Sequence, residues 1–243
     1  MNRWLREIRA LDPERDAQRI VFIDASLEFP WDTQRALELA FYRTYAVPAI
    51  AELLASTGEF TERAQKRYDD TQILISAFCE FGFDHDLGKR AIRRMNAIHG
   101  RFAIANEDFL YVLSTMVFEP IRWNARFGWR PLLEAEKLAT FNFWREVGAR
   151  MAIRDIPERY EDFERFNVEF GLLDALGFPR PSTRLRRLAE GAVRARSRAV
   201  RLLPARRRPR LRTLERHRAY PAGYAIETLG PPEGAVPLRG TAP

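Results

Sequence analysis

The chain has 243 residues and one cysteine, Cys79, so it is long enough for one large domain with a sizeable core, and no internal disulfide can form. Apolar residues make up 46%, which excludes wholesale disorder, and no run of about 18 apolar residues signals a membrane-spanning helix. The net charge of +7 is unevenly spread: between Arg180 and Arg218 fifteen arginines face only Glu190 and Glu215, a local +13 that leaves −6 for the rest.

The first segment, MNRWLREIRALDPERD, mixes charges into every turn and lacks the apolar core of a secretory signal. IVFID, residues 20–24, is the only β-like run and is too short to anchor a sheet. Residues 32–56 place Leu37, Ala40, Phe41 and Tyr45 on a helical face after an Asp32 or Thr33 cap, with Pro48 splitting the helix and Gly58 ending it. Thr61 is expected to cap TERAQKRYDDTQILISAFCEF, which Gly82 terminates. The connection FDHDLG leads into KRAIRRMNAIHG. NEDFLYVLSTMVFEPIRWNARFG opens with an Asn106 cap, and Pro120 bends or ends it. EAEKLATFNFWREVGARMAI aligns Leu138, Phe141, Trp144, Val147 and Met151, and Pro157 stops it. YEDFERFNVEFGLLDALG turns Phe163, Phe166, Phe170 and Leu173 inward. The fold class is therefore all-α: a globular helical domain over residues 1–178, followed by a basic extension over 179–243.

Two polar groups stand on otherwise apolar helices. Arg63, Arg67 and Thr71 share one face by their spacing of four, with Asp70 adjacent, at the margin of an apolar region. His99 follows Ile92, Met95 and Ile98, where a neutral imidazole can offer a lone pair to a metal. By themselves these residues read more often as a structural histidine, an ion pair, and a threonine bonded to the carbonyl one turn earlier. Cys79, between Phe78 and Phe81, reads as a small buried hydrophobe, and His85 and His217 as exposed. Trp123, Trp129 and Trp144 read as packing at the core and helix joints, and Glu119–Pro120 and Trp129–Arg130–Pro131 as corners that set geometry.

The order KRYDDT, RRMNAIHGRF, NEDFLYVLSTMVFEPIRW and FGWRPLLEAEKLATFNFWREVGARMAIRDIP resembles the MpaB/rubber oxygenase catalytic domain over roughly Asp24 to Gly171. The resemblance implies an all-helical, haem b-binding oxygenase acting with O₂ on an apolar, prenyl-like substrate. It implies His99 as the iron's axial ligand. The family's Arg-x-x-Lys-Thr motif falls on Arg67-Tyr68-Asp69-Asp70-Thr71, so the arginine and threonine match while Asp70 replaces the lysine. The implied roles are stabilisation of negative charge on oxygen by Arg67 and hydrogen-bond donation by Thr71. A carboxylate at Asp70 cannot act as a neutral amine ligand. It can instead bind water, pair with Arg67 or accept a proton, so polyisoprene cleavage does not carry over.

STRLRRLAEGAVRARSRAVRLL, residues 182–203, is amphipathic, with a Leu/Ala/Val stripe amid arginines. It reads as a docked helix with a solvated arginine face, or as a peripheral contact to an anionic membrane surface. Nucleic acid is disfavoured, since no aromatics interleave with the arginines. The expected location is cytoplasmic, with attachment at the inner membrane surface as a further expectation. The competing function class is a non-catalytic helical binding protein or pseudoenzyme of the same fold.

Overall fold

The computed structural model describes residues 3–175, with side chains to residue 171. These residues fall within one compact unit. The amphipathic stretch 182–203, His217 and the boundary between 178 and 179 lie outside the described residues.

Among the described residues there is no strand, and helices follow one another: α1 (Arg3–Ile8), α2 (Ala17–Ile23), a π-turn (Asp24–Glu28), α3 (Pro30–Tyr45), α4 (Pro48–Ser56), α5 (Glu59–Glu62), α6 (Ala64–Phe81), α7 (Asp86–His99), α8 (Asn106–Arg126), α9 (Glu134–Arg150) and α10 (Tyr160–Ala175). Helix α8 is the hub, packing against α3, α9 and α10, while α2 lies on α9 and α6 on α7. Leu110, Tyr111, Val117 and Phe118 of α8 are almost fully buried, as are Ala36 and Ala40 of α3, Phe143 and Val147 of α9, and Phe163 of α10. The small α3 residues let that helix approach closely, and the aromatic rings of α8, α9 and α10 fill the wider gaps. Phe118 meets Tyr160 and Phe163 edge-on at 5.2 and 5.7 Å.

Ser114 and Glu119, which α8 carries inward, are both paired. Ser114 Oγ donates to the Tyr111 carbonyl at 2.6 Å and accepts from Asn167 Nδ2 at 2.8 Å. Glu119, nearly fully buried, accepts from Arg43 of α3 and from Arg122. Unpaired, that carboxylate would cost several kcal/mol in this setting.

Several local expectations are corrected. IVFID is the end of α2 leading into the π-turn, because Ile20 and Ile23, one turn apart, are both fully buried, and packing overrides their β-branched preference. Helix α3 starts at Pro30, whose fixed φ suits a first turn, so neither Asp32 nor Thr33 caps it. Asp32 accepts from Trp123 Nε1 at 3.0 Å instead. Thr61 does not cap α6, since its hydroxyl donates back to the Gly58 carbonyl at 2.9 Å. Asn106 is the first residue of α8 rather than its cap, and its side chain clasps the Arg154 backbone, donating to the carbonyl at 3.0 Å and accepting from the amide at 2.9 Å.

Helix α8 runs through Pro120 to Arg126, and the neighbouring Glu119 serves as an ion-pair partner, not a corner. Leu138 is 40% exposed, because the face of α9 that packs inward follows Glu136, Thr140, Phe143 and Val147, about half a turn away. Helix α9 stops at Arg150, before Pro157. Trp129 is 60% exposed and is not core packing, whereas Trp144 is buried.

Gly82 and Gly88 let α6 and α7 meet. Gly82 ends α6 at φ +80°, a conformation that side chains rarely adopt. A Cβ on Gly88 would stand 1.9 Å from the Gly82 carbonyl oxygen, a backbone atom that cannot swing aside. Gly88→Ala is therefore expected to lose about 1–3 kcal/mol of stability, read as a lowered midpoint in urea unfolding.

Candidate active site

Helices α3, α4, α6, α7 and α8 and the π-turn line a partly open cavity of about 1410 Å³. Its wall is mainly apolar, with Leu37, Ile50, Ile75, Val112 and Met116 among the lining residues. Its volume exceeds the roughly 300–1,000 Å³ usual for small-ligand sites. Arg67, Asp70, Thr71 and His99 all lie on this lining. The structure thus brings to one cavity lining residues that are 28 to 32 positions apart in sequence, with Arg67 close enough to His99 to act on its charge.

His99 closes α7 and is partly buried. Its ring meets Phe109 edge-on at 5.4 Å, and its buried Nδ1 has no hydrogen-bond partner. Burial lowers the imidazole pKa below the ordinary 6.5, and the nearby Arg67 guanidinium lowers it further, so the ring is neutral at neutral pH. Arg67 donates to the Thr71 hydroxyl, and that hydroxyl donates to the Arg67 carbonyl at 2.9 Å, the expected back-bond. The guanidinium lies 5.6 Å from the Phe60 ring, which Tyr45 meets edge-on at 5.3 Å. Asp70 pairs with Lys66 one turn earlier rather than with Arg67, and its side chain is 52% exposed. Tyr68 accepts from Gln34 at 2.9 Å and donates to Glu38 at 3.3 Å, tying α6 to α3 across the wall. Cys79 is buried, and desolvation pushes its thiol up to about 12, which makes it inert as a nucleophile. His85 is exposed and caps α7, accepting from the Leu87 amide at 3.2 Å.

Sequence reasoning missed one polar group altogether. Asp24 opens the π-turn, lines the cavity and is 7% exposed. Neither carboxyl oxygen accepts a hydrogen bond, and the Glu136 carboxylate is the partner to which a protonated Asp24 donates. Burial raises its pKa well above the ordinary 3.8, and the neighbouring Glu136 and Glu28 raise it further against the pull of Arg130. The available signal was a carboxylate one turn beyond Ile20 and Val21, on the spacing of a buried helical face. Because the folded pKa is the higher one, Asp24's contribution is fully present below 3.8 and is lost as pH rises from there through the folded value. Asp24→Asn is expected to raise the melting temperature at neutral pH and to flatten that part of the stability profile, as thermal melts across the pH range would show.

A family model described as "ER-bound oxygenase mpaB/B'/Rubber oxygenase, catalytic domain" matches residues 35–233, well over half of the chain. The chain belongs to this family. The match takes in Arg67, Asp70, Thr71 and His99, starts after Asp24 and continues past residue 178. The ER-bound oxygenase mpaB of Penicillium roqueforti (strain FM164) is 33% identical over 154 residues, covering 61% of this chain and 52% of the relative. The mpaB protein of Penicillium brevicompactum is 33% identical over 135 residues, covering 53% of this chain and 34% of the relative. Its mpaB' counterpart in the same organism is also 33% identical over 135 residues, covering 32% of the relative. The chain thus spans between about a third and a half of these relatives' lengths. No solved structure matches. Among the described residues no helix is long and apolar enough to cross a membrane.

Proposed function

We propose that the chain is an oxygenase that holds haem b through His99 and uses O₂ to oxidise an apolar, alkene-bearing molecule such as a prenyl chain. The observation that carries this reading is the neutral, partly buried His99, with an orphaned ring nitrogen, on the wall of a large apolar cavity. These residues suit the cofactor: one imidazole offers a lone pair, the lining is greasy, and Arg94 and Arg101 on the same lining suit the two propionates. Haem b, when bound, supplies the redox chemistry that no side chain here can provide.

The chain's own residues then divide the remaining work. The apolar lining binds the substrate and excludes water, at about 25 cal/mol per Å² of apolar surface buried. Arg67, its side chain fixed against Thr71, offers N–H donors for negative charge that builds on oxygen. Asp70, half exposed beside Lys66, joins the lining to solvent and suits passing a proton between the two.

Titrating the purified chain with haemin tests the reading. A Soret band at one equivalent is expected. A chain that stays colourless would point to the non-catalytic binding protein instead.

The relatives carry "ER-bound" in their names, and the matching proposal here is peripheral contact with anionic lipid through the arginine-rich residues 182–203. The whole chain is expected to float with phosphatidylserine-containing liposomes and not with pure phosphatidylcholine. Equal recovery from both would remove the electrostatic contact.

A further inference from the structure

Helix α7 has one face packed and one face unanswered. Gly88, Ala91 and Ile92 are buried. At 100° per residue, Lys89, Arg93, Ala97, Arg90 and Arg94 follow one another round the other side over an arc of about 140°. All five are exposed, and so is Arg101 in the turn beyond the helix. None of these cations makes an ion pair among the described residues, whereas Lys66 of α6 and Arg150 of α9 each have a carboxylate partner. Asp86 is the one acid between residues 86 and 101, so five cations against one anion leave this stretch at +4. Lys89 and Arg93, like Arg90 and Arg94, are four apart, a like-charge spacing that destabilises an isolated helix. An anionic partner turns that repulsion into attraction. Residues 176–243 have no acid to spare for it, with Glu190, Glu215, Glu227 and Glu233 against sixteen arginines.

Apolar side chains flank the charges. Leu87, in the first turn of α7, is 37% exposed, and Phe102, just past its end, is 38% exposed. The same flank bounds the cavity: Arg94, Ile98, Arg101, Phe102 and Ala103 line it, and all but Ile98 are exposed, so the cavity meets solvent there. Lys89, Arg90 and Arg93 point away from the lining.

We propose that the outer face of α7 docks on an anionic lipid surface, with Lys89, Arg90 and Arg93 on the headgroups and Leu87 and Phe102 beside them in the interface. A helix with a basic polar face and exposed apolar residues at its margin suits that boundary, and each cation near an anionic leaflet adds to the attraction. An acidic protein would answer the charges, but it would lay polar surface over Leu87, Phe102 and the open end of an apolar cavity. A lipid surface instead sets that opening beside the phase in which an apolar substrate dissolves. That consequence rests on the apolar-ligand reading above. The docking itself needs neither haem nor residues 182–203.

Ala97 stands at the centre of the arc, and Cys79, the chain's one thiol, is buried, so Ala97→Cys takes a nitrobenzoxadiazole label at a single place. The whole labelled chain is mixed with phosphatidylcholine vesicles that contain phosphatidylserine, and with vesicles of phosphatidylcholine alone. Emission of this label rises and moves to the blue when it leaves water. That change is expected with the phosphatidylserine vesicles only, and a label at exposed Glu161 of α10 should not show it. Lys89→Gln, Arg90→Gln and Arg93→Gln together should weaken binding to those vesicles at least about tenfold. Undiminished binding of that triple variant overturns the docking. A chain that binds the vesicles while the label at position 97 keeps its spectrum also overturns it, and leaves the contact through residues 182–203 standing. A chain that binds neither kind of vesicle removes both contacts. A label that responds to polyglutamate and not to vesicles overturns the lipid and assigns the face to an acidic protein. The label experiment keeps every native charge, so it does not depend on the folding of the triple variant. Haemin titration needs no vesicles, so the oxygenase reading stands or falls separately.

Discussion

Replacing Arg130 by methionine should cost about 3–5 kcal/mol, a fall on the order of 10 °C in Tm for a chain of this size. The guanidinium is 13% exposed, and its two carboxylate partners, Glu28 and Glu136, have side chains 1% and 0% exposed. Methionine fills similar space but leaves two carboxylates out of water with no cation between them. That stranded charge, more than the lost attraction, sets the size of the effect. The pairs also join distant parts of the chain: Glu28 ends the π-turn and Glu136 stands in the first turn of α9, where it also accepts from the Leu133 amide. The triple variant Arg130→Met, Glu28→Gln, Glu136→Gln removes the orphaned charges together. It should recover a large part of the loss, and urea unfolding of the two variants measures the difference. Equal instability of single and triple variants would assign the effect to packing alone.

His99→Ala should behave in the opposite way, with a small change in stability and a large one in cofactor binding. The ring already faces a cavity, and its Nδ1 makes no hydrogen bond that could be lost. Removing it therefore forfeits chiefly the edge contact with Phe109, about 1 kcal/mol. Under the proposed reading the same change would remove the imidazole that holds haem, and haemin affinity should fall by at least about 100-fold. Haemin titration followed by the Soret band, together with urea unfolding of the apo chain, reads the two quantities separately. An unchanged Soret band in the alanine variant would sink the ligand assignment.

The helices were legible in the sequence where punctuation and periodicity agreed. Pro48, Gly58 and Gly82 break the chain where their backbone chemistry says they should, and Phe163, Phe166 and Phe170 are buried at helical spacing. The caps were less legible, because Asp32 and Asn106 each have a second use for their polar atoms that depends on parts of the chain brought near only by folding, while the Thr61 hydroxyl turns back to the carbonyl of Gly58 three residues earlier. The π-turn had no signature at all. A wide turn is a property of backbone hydrogen bonding, and IVFID carries β-branched residues for burial, not for a sheet. Arg67, Thr71 and His99 emerged through the family's order of segments. Arg130 was legible only as a corner, since Glu28 lies 102 residues away. Asp24 was overlooked because a carboxylate after an apolar run reads as the edge of a loop, although its spacing from Ile20 and Val21 matches a buried helical face.

The two sides of the cavity are built unequally. In α8 a dozen residues from Asp108 to Asn124 are buried, whereas α5 buries none, α4 only Ile50, and α6 only Phe78 and Cys79. Free energy of local opening follows buried apolar contact, so the α4–α6 side has the lower threshold for transient excursions while α8 stays in place. Arg67 and Thr71 ride on the side with the lower threshold, so local opening there displaces them while α8 keeps its packing.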